Sequence, residues 1–201
     1  MGVSRSGRFA ALTNVRQPKT DDEGNRSRGE LAATFLAGTE LPEPYMRRVF
    51  HSRDLYPGYN LLAGDRSELY YYSNRGGPPV RLGPGVYGVS NHLLNTEWPK
   101  VRRGKEALEA LMAGTPGDVL ENELLRLLRH SEIAPDDELP DTGIPLELER
   151  ILSPLFIRSD TYGTRSSTVM LMGDQSIRYT ERVYQENGTA DQTFIVQSAA
   201  R

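Results

Sequence analysis

The sequence predicts an α+β fold whose strands fall into two groups with helices between them. Three observations carry this. Strand-like runs lie early in the chain, at residues 8–14, 59–62, 68–73 and 85–91, and again at its end, at 167–172, 177–184 and 193–196. Helical periodicity fills the middle, where Leu120, Leu124, Leu127 and Leu128 follow an i, i+4, i+7, i+8 stripe. Strands and helices do not alternate regularly, which argues against a doubly wound parallel sheet.

The elements follow in order. A first strand over residues 8–14 gives way to a polar loop marked by Asp21-Asp22-Glu23 and Gly24. Ser27-Arg28-Gly29-Glu30 then reads as a capping box, the Ser27 hydroxyl taking one free N–H and Glu30 reaching back to another. A short helix through Leu31, Phe35 and Leu36 ends near Gly38, and Pro42-Glu43-Pro44 opens a second with Tyr45, Val49 and Phe50 at helical spacing. Gly64-Asp65-Arg66-Ser67 is the turn of a hairpin whose second strand holds Leu69-Tyr70-Tyr71-Tyr72. After the Gly76-Gly77-Pro78-Pro79 loop, another strand spans 85–91. A helix over 98–113 places Val101, Leu108, Leu111 and Met112 on one side, and Asp118 caps the next, with Glu121 at its third position. Residues 132–143 are acidic and contain Pro, which makes them a loop, and a short helix from Pro145 stops at Leu152 before Pro154. In the tail, Gly173-Asp174-Gln175-Ser176 and Asn187-Gly188 turn between the last three strands.

Composition narrows the functional classes. At 201 residues the chain fits a single domain, 1–201, and Leu, Val, Ile and Phe supply 46 residues, enough for a core. There is no Cys, which excludes thiolate catalysis, disulfides and Cys-based zinc sites within the chain. His51, His92 and His130 are the only histidines, too few for a His-rich metal cage. A formal charge of −3 gives no nucleic-acid footprint. No apolar run reaches membrane-spanning length, and the start has no signal-peptide pattern, so a cytoplasmic location is expected.

Familiar catalytic templates are missing. There is no phosphate-binding loop with a following Lys-Ser/Thr, no GxSxG and no HExxH, and Ser90 and Ser167 have no obvious base beside them. Asn14 and Asn91 end strands and Arg165 begins one. Such side chains can donate to a developing oxyanion, or they can simply cap turns and pair with acids. His92 can serve as a base, as a haem or metal ligand, or as a satisfied polar residue. His130 at a helix C-terminus is explained by the helix dipole. Lys100, Arg102, Arg103 and Lys105 cluster beside Trp98, either to bind an anion or as a solvated helix face.

The run Gly85-Val86-Tyr87-Gly88-Val89-Ser90-Asn91-His92, followed by Trp98-Pro99-Lys100-Val101 and Gly104-Lys105, resembles the NRDE family, which includes the transport-and-Golgi-organisation proteins of eukaryotes and many bacterial homologues. Phe9-Ala10-Ala11-Leu12-Thr13-Asn14, Ser27-Arg28-Gly29-Glu30-Leu31, Leu69-Tyr70-Tyr71-Tyr72-Ser73-Asn74-Arg75, Leu139-Pro140-Asp141-Thr142-Gly143 and Tyr162-Gly163-Thr164-Arg165-Ser166-Ser167-Thr168 resemble it too, in order along nearly the whole chain. The sequence departs from the family pattern at its start. Family members open with Met-Cys, a strand and an Asn-Arg-Asp-Glu motif, and this sequence has no Cys and no such motif. A chain lacking the family's N-terminal segment is therefore expected, with a sheet short of strands beside residues 8–14 and apolar surface exposed there.

The resemblance implies an N-terminal-nucleophile-hydrolase-like fold, two antiparallel sheets between helical layers (αββα), with its first strands missing. It implies amide (C–N) hydrolysis for the family, with Asn14, Asn91 and Arg165 in supporting catalytic roles converging on one cleft. It also implies that this chain alone is inactive, since neither Met1 nor Gly2 supplies a nucleophile. The alternative is a non-catalytic carrier or trafficking factor, linked in eukaryotic members to haem mobilisation, Golgi organisation and secretion. On that reading His92 and the run Tyr70, Tyr71 and Tyr72 are candidates for haem contact. The expected ligand is a small-molecule amide or a haem-like compound, with no metal site.

Overall fold

In a computed structural model, residues 1–16 and 26–197 are described; the polar loop expected around Asp21-Asp22-Glu23 and Gly24 lies outside them. Two antiparallel sheets and five α-helices are formed by the described residues. The first sheet is a meander of β1 (Gly2–Val3), β2 (Phe9–Asn14), β3 (Tyr59–Gly64), β4 (Leu69–Ser73) and β5 (Val80–Leu82), each strand paired with the next. The second sheet is β6 (Ser166–Met172), β7 (Ser176–Gln185) and β8 (Gly188–Gln197). Between β2 and β3 lie α1 (Gly29–Ala37) and α2 (Pro42–His51); between the sheets lie α3 (Pro99–Gly114), α4 (Gly117–Leu127) and α5 (Leu146–Leu152). All strand pairings are antiparallel, as the grouping of strands predicts.

Strand alternation decides what each face of the first sheet does. Leu61 pairs with Leu12 on one side and Tyr72 on the other, and Ala63 with Ala10 and Tyr70. This face buries the main core against Phe35 of α1 and Tyr45, Met46 and Val49 of α2. Aromatic edges meet there: Tyr59 and Tyr72 lie 5.9 Å apart at 75°, and Phe35 and Tyr45 lie 4.9 Å apart. The run Tyr70, Tyr71 and Tyr72 is thus divided between the two faces, with Tyr70 and Tyr72 in the core and Tyr71 opposite. Arg8 is also buried; its Nε donates to the Phe35 carbonyl at 2.8 Å and Nη2 to the Glu40 carbonyl at 2.7 Å, closing the C-terminal end of α1. Beside β2, Gly2 and Val3 pair with Ala10 and Phe9, and residues 90–91 approach farther along the strand.

Three local expectations are corrected. Residues 85–91 do not form a ladder strand, because their polar groups are taken by side chains and turns. The Gly88 N–H donates to Asn95 Oδ1 at 2.9 Å, and the Asn95 N–H returns to the Gly88 carbonyl at 2.7 Å. The strand that joins the sheet instead is β5. The capping box at Ser27 is not made: α1 has no side-chain cap, and Glu30 accepts from the Tyr56 hydroxyl and pairs with Arg26 at 2.7 Å. Asp118 sits inside the first turn of α4 rather than at its cap, and Glu121 pairs with Arg178 of β7 at 2.5 Å. Among the described residues no helix is long and apolar enough to cross a membrane.

The β3–β4 hairpin turns at Gly64. A Cβ there would lie 2.4 Å from the Glu68 carbonyl oxygen and 2.9 Å from Leu69 Cα, both backbone atoms that cannot move without breaking the ladder. Gly64→Ala is therefore expected to cost about 3 kcal/mol of unfolding free energy. Urea denaturation of the two proteins checks this; a loss below about 1 kcal/mol would show that the hairpin relaxes freely.

Candidate functional site

The face of the first sheet away from the main core is polar at one end. Thr13, Asn60 and Ser73 are cross-strand neighbours on it. Asn60 is buried, and its amide donates to Thr13 Oγ1 at 3.0 Å and to the His92 carbonyl at 2.9 Å. Its Oδ1 accepts from the Tyr71 hydroxyl at 2.7 Å, and that hydroxyl accepts from the Leu94 N–H at 2.9 Å. Burial pushes the Tyr71 phenol upward, which keeps it a donor. The Thr13 hydroxyl donates to the Ser90 carbonyl at 2.7 Å. A loop over residues 88–95 is thereby fastened to the sheet without strand pairing.

The same loop lies on α3. A Cβ on Gly88 would come within 2.7 Å of Val101 Cγ1 and 3.3 Å of Lys105 Cδ, so only glycine permits this approach. Between the loop, α3, α4, residues 154–157 and β6 opens a cleft of about 670 Å³. Its polar lining includes Thr13, Ser90, Asn91 and Lys100, and its apolar lining includes Leu108, Leu124, Leu127, Leu128 and Ile157. Lys100 and Leu108 are eight residues apart on one helix, about 12 Å along its axis. The cleft thus carries polar residues along α3 as far as Lys105 and apolar ones from Leu108 and α4 onward.

The leucine stripe of α4 deserves the contrast with its neighbour. Leu125, off the stripe, is 1% exposed, whereas Leu124, Leu127 and Leu128 are only half-buried, because they face the cleft rather than a closed core. The stripe was legible as amphipathic periodicity, but periodicity does not distinguish a filled interface from an open one.

An ion-pair knot surrounds a separate, small cavity lined by Arg16, Trp98, Lys100, Glu149 and Leu152. Arg16 follows β2; its N–H donates to the Asn91 carbonyl at 2.6 Å, and its guanidinium pairs with Glu149 of α5 at 2.9 Å and lies 5.3 Å from the Trp98 ring centre. Glu149 is 3% exposed and also accepts from the Thr142 N–H at 3.1 Å and from its hydroxyl. Lys100 donates to the Leu152 carbonyl at 2.8 Å. Burial, reinforced by the neighbouring Arg16 charge and opposed by Glu149, pushes the Lys100 amine down to about 8.

The site residues expected from the sequence are distributed unevenly. Asn91 lines the cleft, and its Nδ2 donates to the Asn14 carbonyl at 3.1 Å. Strand alternation places the Asn14 side chain on the face opposite Thr13, and Thr13 is the β2 residue that reaches the cleft. Arg165 is exposed just before β6 and is not among the lining residues; its carbonyl accepts from the Tyr184 N–H at 2.9 Å. The structure therefore brings Asn14 and Asn91 together through a backbone contact, while Arg165 stands apart from the lining.

His92 is exposed, with Nδ1 2.9 Å from the Thr96 hydroxyl and its ring 5.6 Å from that of Trp98. It does not line the cleft, and Tyr70, Tyr71 and Tyr72 do not either. These residues therefore do not fit the role of haem ligands in that cavity. Of the basic cluster, Arg102 and Arg103 pair with Glu138 at 2.6 and 3.6 Å, while Lys100 and Lys105 reach the cleft. His130, at the end of α4, lies 3.4 Å from Glu132. Among the described residues no group of three or more His, Asp or Glu is placed to hold a metal ion.

Asn60 carries the loop, so Asn60→Ala is expected to lower stability by about 2–4 kcal/mol, since it leaves buried partners unpaired. Amide hydrogen exchange of residues 88–95 is expected to accelerate more than that of α1 and α2. Equal protection in both regions would show that the loop is held by other contacts.

The family model described as Transport and Golgi organisation 2 matches residues 1–186. The chain is 39% identical over 199 residues to the Bos taurus transport and Golgi organization protein 2 homolog, covering 90% of this chain and 70% of the bovine one. It is 38% identical over 200 residues to the Homo sapiens homolog, covering 90% and 70% respectively. Against the Mus musculus homolog the identity is 36% over 208 residues, covering 94% and 73%.

Proposed function

We propose, from the premise that this chain belongs to the transport and Golgi organisation 2 family, that it acts as a binding protein for a small amphipathic molecule, in the manner of a carrier. The observation that carries this reading is the cleft's polarity gradient. A ligand with an apolar body along Leu108, Leu124 and Leu127, and a carbonyl or acidic end near Thr13, Asn91 and Lys105, meets complementary surface at both ends. The transport named in the relatives' descriptions accords with a protein that holds such a ligand without transforming it.

Amide hydrolysis on an N-terminal-nucleophile scaffold is the second reading. It has support from the two antiparallel sheets, from the packing of α1 and α2 on the first and of α4 on β6, and from Asn91 at the polar end of the cleft. Asn91 spends one N–H on the Asn14 carbonyl, and its second can polarise a bound carbonyl. Among the described lining residues the hydroxyls are Thr13, Tyr87, Ser90 and Thr168, with no His or carboxylate beside them to serve as base. The carrier reading asks less of these residues, needing only burial and a few donors.

The test uses an anilinonaphthalene sulfonate, which joins an apolar body to an anionic end. Fluorescence enhancement with saturable binding is expected for the native chain. Leu124→Asp puts a carboxylate into the apolar wall and is expected to weaken binding at least about tenfold, with Leu127→Asp as the independent second variant. Unchanged affinity in both folded variants would move the ligand site out of this cleft.

A further inference from the structure

Most of the described arginines are spent on an acid or a backbone carbonyl. Arg47 and Arg48 pair with Glu43 and Glu40, Arg150 with Asp136 and Arg182 with Asp191, for example. Among the described residues only Arg5, Arg129, Arg158 and Arg165 have neither an acid nor a hydrogen-bond acceptor at the guanidinium, and all are exposed. Three of these gather around one aromatic pair. Arg129 lies 5.6 Å from the Tyr184 ring centre and Arg158 lies 5.2 Å from that of Phe156, and the two rings meet edge to face at 4.6 Å. Arg165 precedes β6, its carbonyl bonded to the Tyr184 N–H at 2.9 Å.

An aromatic ring holds a guanidinium without using its N–H donors, which stay free for the paired oxygens of a phosphate. Between Arg158 and Arg165 the chain makes a tight hairpin. Arg158 bridges Gly163, and Thr164 Oγ1 accepts from the Ile157 N–H at 2.9 Å. Ser159 Oγ accepts from the Tyr162 N–H at 3.0 Å and donates to the Tyr162 carbonyl at 2.6 Å. The backbone of Tyr162 is thereby satisfied inside the loop, while the residue itself is 61% exposed. Asp160 is the one acid of residues 158–165, so the loop and Arg129 together carry a net charge of about +2 on a chain whose total is −3.

We infer that this patch docks the protein on an anionic phospholipid bilayer. The arginines meet headgroup phosphates, and Tyr162 enters the headgroup layer, where a ring with a polar tip is well solvated at both ends. Three arginines and one ring give weak, reversible docking rather than insertion. The choice of a bilayer over a soluble phosphate rests on the exposed Tyr162 and on the reading of the cleft as an amphipathic-ligand site. Leu128 and Ile157, which line the cleft, immediately precede Arg129 and Arg158, so docking brings apolar lining close to the lipid. A ligand leaving the bilayer then enters head first, toward Asn91 and Lys105, and its apolar body follows along Leu124 and Leu127.

The experiment sediments the native chain with vesicles of phosphatidylcholine, alone or with a third of the lipid replaced by phosphatidylglycerol. Retention is expected on the anionic vesicles only, falling severalfold as salt is raised. Arg129→Gln and Arg158→Gln are each expected to lower partitioning about fivefold, and Tyr162→Ser severalfold, whereas Arg5→Gln, which removes the unpartnered arginine outside the patch, leaves it within about twofold. Equal retention on both vesicle types, or a loss in Arg5→Gln matching that in Arg158→Gln, would overturn the inference. Release by inorganic phosphate at fixed ionic strength would overturn it too, reassigning the arginines to a soluble ligand. Binding of the naphthalene sulfonate is measured on the same proteins without vesicles. Probe binding with no vesicle retention would remove the docking surface and leave the cleft reading standing. Arginine-dependent retention with no probe binding would remove the cleft reading and uphold the docking surface.

Discussion

A single buried side-chain amide holds the site together. Asn60 sits in the middle strand of the first sheet, on the face away from the aromatic core, and serves Thr13, Tyr71 and the His92 carbonyl at once. A buried amide without partners would be costly, so the sheet and the loop over residues 88–95 have to come together in one register for its bonds to be made. That register brings Ser90 and Asn91 to the cleft and lays Gly88 against α3. This cleft is thus bounded by a loop that contributes no strand ladder and relies on side chains for its attachment.

The electrostatics around Lys100 follow from how few compensating groups are there. Arg16, Lys100 and Glu149 form a cluster of two cations and one anion in which the carboxylate pairs directly with Arg16. Truncating one partner of such a buried pair would leave an uncompensated charge, which makes the Arg16–Glu149 contact a structural tie between β2 and α5. Lys100 is then the group that adjusts, because a lysine can give up its proton and an arginine cannot. One arrangement therefore both ties β2 to α5 and loosens the Lys100 proton.

Much of the fold was readable from residues alone, and the exceptions share a cause. The tail strands, the two Pro-initiated helices α2 and α3, and the β3–β4 hairpin were legible, since each has a local signal: alternation, Pro at a first turn, or a Gly-Asp turn. Residues 85–91 looked like a strand because Val86, Tyr87 and Val89 lie among small residues, yet strand formation depends on an available edge, and Asn95 takes the Gly88 N–H and Thr13 the Ser90 carbonyl first. Glu30 abandons its capping role because Tyr56 and Arg26, the former 26 residues away, offer stronger partners than a single backbone N–H. Asn91 lines the cleft although residues 85–91, whose strand end it was expected to mark, form no ladder strand. Thr13 was missed by one residue, for the period of a strand sends neighbours to opposite faces.

The composition of the cleft divides along the same line. Its polar end draws on the segments that carry the family resemblance, with Thr13, Ser90, Asn91, Lys100 and Lys105 all inside them. Its apolar end draws on Leu108, on α4, where the sequence shows an amphipathic stripe, and on Ile157, Val169 and Met170. These two halves answer to different physics. The polar end needs particular atoms at particular distances, and a change of one residue there breaks hydrogen bonds that nothing else can supply. The apolar end needs area and shape, which many combinations of leucine, isoleucine and methionine can provide at similar cost. Tight specification of the reacting or anchoring group, and loose specification of the body attached to it, is what this division of lining residues allows.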